Sequence, residues 1–87
     1  MSLNKREWVA EQNEEALFLD EYDACIVGVA ERFGVGPVAA YDYDAIIEKL
    51  VADGLTYDDA VEHFEFNIIG AWVGDSTPIF VRKIPAA

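Results

Sequence analysis

The sequence predicts an α+β fold: a small antiparallel sheet, built from a hairpin plus a C-terminal strand and covered by about three helices, in the order α-β-β-α-α-β. Three observations lead there. Short β-branched runs are separated by a Gly/Pro turn, and capped segments of helical periodicity flank them. An apolar content of 53% with 13% aromatics in 87 residues is enough for one core, so residues 1–87 read as a single domain.

Residues 4–19 read as the first helix. Asn4 is a suitable N-cap and Glu7 completes a capping box. Lys5 and Arg6 sit unfavourably at the positive end of the helix dipole. Trp8, Gln12, Ala16 and Leu19 share one face, and Glu7, Glu11, Glu14 and Glu15 make the other side negative. Residues 24–33 read as a strand in which Cys25, Val27 and Val29 alternate with Ala24, Ile26, Gly28 and Ala30. Gly34-Val35-Gly36-Pro37 signals a turn, and Val38-Ala39-Ala40-Tyr41 returns as the second strand.

Asp42 then caps a helix over residues 43–53, with Tyr43, Ile46, Ile47, Leu50 and Val51 on one face and Asp44 and Glu48 on the other. Gly54 stops it, as a left-handed cap does. Thr56 caps the next helix, which is expected to run from Tyr57 to about Trp72 with Asp58 and Asp59 in its first turn. Asp75-Ser76-Thr77-Pro78 forms a loop, residues 79–83 a short last strand, and Pro85 ends the order. The expected core is Trp8, Ile26, Val27, Val29, Ile46, Leu50, Val61, Phe64, Ile68, Trp72, Phe80 and Val81.

Charge narrows the function classes. Seventeen acidic residues against six basic ones give a net charge of −11. Such a chain repels phosphate backbones and anionic membranes and attracts basic surfaces, so neither direct nucleic-acid binding nor membrane binding is expected. A helix-turn-helix reading around Gly54 fails for the same reason, because the recognition helix would open on Tyr57-Asp58-Asp59. The single cysteine, Cys25, permits no internal disulfide, the N-terminal residues show no signal peptide, and no apolar run is long enough to span a bilayer. A soluble, cytoplasmic product is expected.

The stretch from Ile26 to Val81 resembles a group of small, uncharacterised acidic proteins encoded by bacteriophages and prophages. The resemblance lies in residues 26–30 (IVGVA), 38–42 (VAAYD), 53–60 (DGLTYDDA), 65–74 (EFNIIGAWVG) and 77–80 (TPIF). It carries no assigned activity and transfers no catalytic residue. It implies a phage context, in which small acidic proteins act by blocking a host protein.

No catalytic constellation is expected. Cys25 lies in an apolar strand without a base nearby, and Asp42 and Asp44 are explained by a helix cap and its first turn. Gly34-Val35-Gly36-Pro37 lacks the third glycine and the following helix of a phosphate loop. His63 stands with Glu62 and Glu65, but only the two glutamates are spaced to converge, and zinc would want more nitrogen or sulfur ligands. No metal and no cofactor is expected, and His63 reads as a surface histidine.

The segment from Tyr57 onward carries the candidate site. Ala60, Val61, Phe64, Ile68 and Trp72 line its core face, while Phe66, Ile69 and Val73 add a second apolar line. Such a helix is either covered on both sides within the fold or covers a partner. Asp58, Glu62 and Glu65 form a carboxylate strip whose members stand about 5–6 Å apart, comparable to phosphates along a strand. The alternative for any such strip is a solvated face. Asp58, Asp59, Glu62, Glu65, Phe66 and Ile69 are therefore the candidate partner-binding residues.

The expected function is binding or inhibition of a basic host protein, such as a defence or nucleic-acid-binding protein, with the acidic face imitating nucleic acid. The alternative is a self-associating accessory protein, a homodimer closed by the apolar helix surface. The same acidity also suits adaptation to high salt, in which case it says nothing of function.

Overall fold

Side-chain caps set where the helices begin. The computed structural model describes residues 4–32, 34–68 and 77–85. Helix α1 spans Lys5–Gln12, opened by Asn4, whose Oδ1 accepts the Glu7 N–H at 3.1 Å. It ends well before Leu19. Asn13 turns extended, its N–H still bonding Val9 O at 3.1 Å, and its side chain leaves the helix to donate to Pro37 O at 2.9 Å. Asparagine competes for backbone groups in this way and so terminates helices.

Residues 13–22 are irregular, yet they bury Ala16 and Leu19. Side chains supply the hydrogen bonds that a helix would have made. The Leu19 N–H donates to Tyr41 Oη at 2.9 Å, and the Leu19 carbonyl accepts from Arg6 Nη2 at 3.3 Å. Arg6 also pairs with Asp23 at 2.9 Å and lies 4.8 Å over the Phe18 ring. A 3-10 turn over Asp23–Cys25 takes Cys25 out of the strand and leads into β1, Ile26–Arg32.

Strand β2, Val35–Asp42, starts earlier than the Gly/Pro signal suggests, so Val35, Gly36 and Pro37 belong to the hairpin ladder. The pairing Ala30↔Val38 and Arg32↔Val35 sets Gly36 and Pro37 against Glu31 alone. A bulge of this kind tolerates proline within a sheet. A Cβ at Gly36 would stand 2.8 Å from Asn13 Nδ2 and would displace the side chain that bonds Pro37 O. A second bulge leaves Val27 unpaired between Ile26↔Tyr41 and Gly28↔Ala40, and it is 62% exposed. Strict alternation places Val27 inside; the extra residue resets the faces.

Helix α2, Tyr43–Ala52, is capped by Asp42, whose Oδ1 accepts the Ala45 N–H at 3.2 Å. Gly54, at φ 114°, takes the left-handed conformation that follows the helix end. Helix α3 spans Tyr57–His63 and passes into a π-helical turn, Phe64–Ile68. Strand β3 is Ile79–Val81. The α+β class and the element order are those read from the sequence.

The direction of β3 differs from expectation. It pairs parallel to β2, through Ala40↔Ile79, Tyr41↔Phe80 and Asp42↔Val81, so the three-stranded sheet β1-β2-β3 is mixed. Two helices intervene between β2 and β3, and a helical crossover returns the chain in the same direction.

One core joins the sheet to α1, α2 and α3. Ile26, Ile46, Leu50 and Phe64 are buried as expected, with Val29, Val61 and Phe80 packed partly buried against them. Trp8, Val27 and Val81 are corrections. Trp8 is 37% exposed because Val9 takes the inward position on α1, and Val81 lies outward on a short edge strand. Trp72 and the side chain of Ile68 lie outside the described residues. Tyr41, Ala39, Tyr43, Ile47 and Ala60 complete the centre. The Phe64 ring meets those of Tyr43 and Phe80 edge-on, each at 4.9 Å, and Phe80 lies 5.8 Å from Tyr41.

The ion pairs, Arg6 with Asp23 and Asp20, Lys49 with Asp53 and Lys83 with Asp42, involve mostly exposed groups, which contribute little. With a net charge of −11, repulsion among the excess carboxylates is expected to outweigh these pairs. The melting temperature is therefore expected to rise between about 0.1 and about 1 M sodium chloride, as the screening length falls from about 10 to about 3 Å. A midpoint that stays level or falls in thermal melts would mean that attraction already balances repulsion.

Candidate functional site

Helix α3 is built to carry negative charge at its start. The Asp59 N–H donates to Thr56 Oγ1 at 3.2 Å, closing the cap, and Asp58 and Asp59 occupy the first turn, where the helix dipole favours anions. Ala60 and Phe64 anchor the inner face in the core. Asp58, Asp59, Glu62, Glu65 and Phe66 are all exposed, Phe66 at 74%. Ile69, with Gly70, Val73 and Gly74, lies outside the described residues.

The π turn changes the arrangement expected of a plain α-helix. Asp58 and Glu62 keep the spacing of four within α3, whereas Glu65 falls in the wider winding that follows. Phe66, in the same turn, projects to solvent beside a shallow depression of about 410 Å3. Asp59, Glu62, His63 and Asn67 line it together with Leu55 and Phe66. His63 and Asn67 are additions to the residues read from sequence. Their spacing of four was the available signal, and Asn67 Nδ2 stands 3.3 Å from His63 Nδ1.

The electrostatics of this face follow from where the cations sit. Lys5 donates to Ala24 O at 3.0 Å, Arg6 holds Asp23, Lys49 bridges to Asp53 and lies over Tyr22, Arg82 lies over Tyr43, and Lys83 holds Asp42. Among the described residues, no ion pair forms with Asp58, Asp59, Glu62 or Glu65. No described cation pairs with the carboxylates around the exposed ring.

The remaining reactive groups are tied to structure. Cys25 is buried, and burial pushes its thiol above the ordinary value, which disfavours the thiolate. Burial also acts to raise the Asp42 carboxyl, but the Lys83 hydrogen bond at 3.1 Å and the Ala45 N–H outweigh it and hold the group below its ordinary value. Among the described residues no group of three or more His, Cys, Asp or Glu is placed to hold a metal ion, and no helix is long and apolar enough to cross a membrane. No family model, no curated protein and no solved structure matches this chain.

Proposed function

We propose that this chain is a small acidic binding or inhibitor protein of phage or prophage type, engaging a basic host protein in the cytoplasm through α3 and its π turn. The carrying observation is Phe66, 74% exposed on a π turn beside carboxylates that pair with no described cation. A single π turn continuing an α-helix is rare and recurs at functional sites. Here it presents an aromatic side chain within a negative field, the combination of anchor and steering charge found at protein interfaces.

A protein with a nucleic-acid groove is the natural target, because Asp58 and Glu62, four apart on α3, and Glu65 in the turn that follows offer it a strip of anions. Carboxylates on a rigid helix present charge without the phosphates themselves. The phage context rests on the motif resemblance over residues 26–81.

The test is capture from a host lysate at low and high salt, followed by binding kinetics with the captured protein. Combined Asp58→Asn, Glu62→Gln and Glu65→Gln substitution is expected to slow association and flatten its salt dependence, because peripheral charges act on encounter. Phe66→Ala is expected to speed dissociation and weaken binding by about 2 kcal/mol or more. If circular dichroism shows both variants folded and neither alters the kinetics, the α3 face is only solvated. A stable dimer with no captured basic protein points instead to self-association.

A further inference from the structure

A second surface, lined by none of the residues around Phe66, combines apolar and acidic character. Ile47 and Val51 of α2 and Tyr57 at the start of α3 line a groove of about 380 Å3, with Asp44 and Glu48 on its rim. Tyr57 is 61% exposed although nothing in its cap requires an aromatic side chain, and Val51 is also exposed. Asp44 and Glu48 are four apart on α2, so the carboxylates follow the groove.

The chain itself shows what chemistry suits this end of the molecule. After β3, Arg82 lies 4.9 Å over the Tyr43 ring and Lys83 bonds Asp42 at 3.1 Å, both at the start of α2. Lys83 also feels the charges of Asp44 and Glu48. Ile84, next in sequence, is 93% exposed. A basic segment bearing an apolar residue thus already packs at the start of α2, the helix whose Asp44 and Glu48 line the groove.

We propose that the α2–α3 groove is a docking site for a basic segment of another protein, with an apolar side chain set between cationic ones. The apolar side chain would rest on Ile47, Val51 and Tyr57, and the flanking cations would meet Asp44 and Glu48. Phosphate-bearing ligands and anionic lipid surfaces are repelled by the same rim. A second copy of this chain is disfavoured, because each copy carries −11 and its own Arg82-Lys83 segment is engaged with Tyr43 and Asp42. The site is distinct from the Phe66 face and does not depend on it.

The test titrates isotope-labelled protein with acetylated, amidated lysine/leucine peptides, using an all-lysine peptide and an all-glutamate peptide as controls. Saturable amide shifts from Asp44 to Val51 and at Tyr57 are expected with the lysine/leucine peptides, weakening as salt is added. Tyr57→Ala, and separately Asp44→Asn with Glu48→Gln, should each weaken binding by about tenfold with the fold unchanged. Three results overturn the proposal: no lysine/leucine peptide saturates, the all-lysine peptide binds equally well, or the shifts centre on Asp59, Glu62 and Phe66. The last would leave the α3 face as the binding surface and remove the groove from consideration.

Discussion

Phe64→Ala is expected to destabilise the fold by about 3–5 kcal/mol, the usual loss for a buried aromatic truncated to alanine. The side chain is fully buried and stands edge-on to two rings, Tyr43 from α2 and Phe80 from β3, each at 4.9 Å. Edge-to-face pairs contribute about 0.5–1.5 kcal/mol beyond burial, so the upper part of the range is expected. A small domain has about 5–15 kcal/mol in total, and the variant should lie close to its unfolding threshold. Urea titration in the cold, where the variant remains folded, gives the difference. A loss below about 1 kcal/mol would place the ring at the surface and undo the packing of α3 against the sheet.

Tyr41→Phe is expected to cost about 1–3 kcal/mol, although it removes a single oxygen. That oxygen accepts the buried Leu19 N–H at 2.9 Å, and the substitution would leave the donor without a partner. Residues 13–22 have no ladder or helix of their own, so the loss falls on the segment as a whole. Amide exchange at Leu19 should accelerate more than exchange in the β1–β2 hairpin. Equal stability with unchanged exchange would mean that the Leu19 N–H has found another acceptor.

Local rules made the helices legible. Asn4, Asp42 and Thr56 cap where their side-chain chemistry predicts, and Gly54 ends α2 in the left-handed region. What escaped the sequence was decided by contacts distant along the chain. The early end of α1 depends on Asn13 reaching Pro37, and the burial of Leu19 on Tyr41 and Arg6. The bulges at Val27 and opposite Glu31 shift the strand faces without any change in composition. The direction of β3 depends on the crossover and not on residues 79–81.

The geometry around the candidate residues was only partly legible for a similar reason. The exposure of Asp58, Asp59, Glu62 and Glu65 follows from charge and helical period. The π turn that presents Phe66 has no mark in the sequence, since α and π windings use the same residues. Asp44, Glu48, Val51 and Tyr57 read separately as a polar helix side, a core-face residue and the first residue of a helix. Only the packing of α2 on α3 brings them to one groove.

The parallel pairing of β3 also bears on the order in which a nascent chain can mature. The β1–β2 hairpin closes between near neighbours and can form early, whereas the β2–β3 ladder joins residues 40–42 to residues 79–81. Phe80 arrives with that ladder, and the aromatic cluster of Tyr41, Tyr43 and Phe64 is incomplete without it. During synthesis, then, the acidic helices emerge while their inner face is still partly uncovered. Strand β3, which emerges after both of these helices, acts as a closing latch, and chains halted before residue 79 should be the ones that chaperones and proteases recognise.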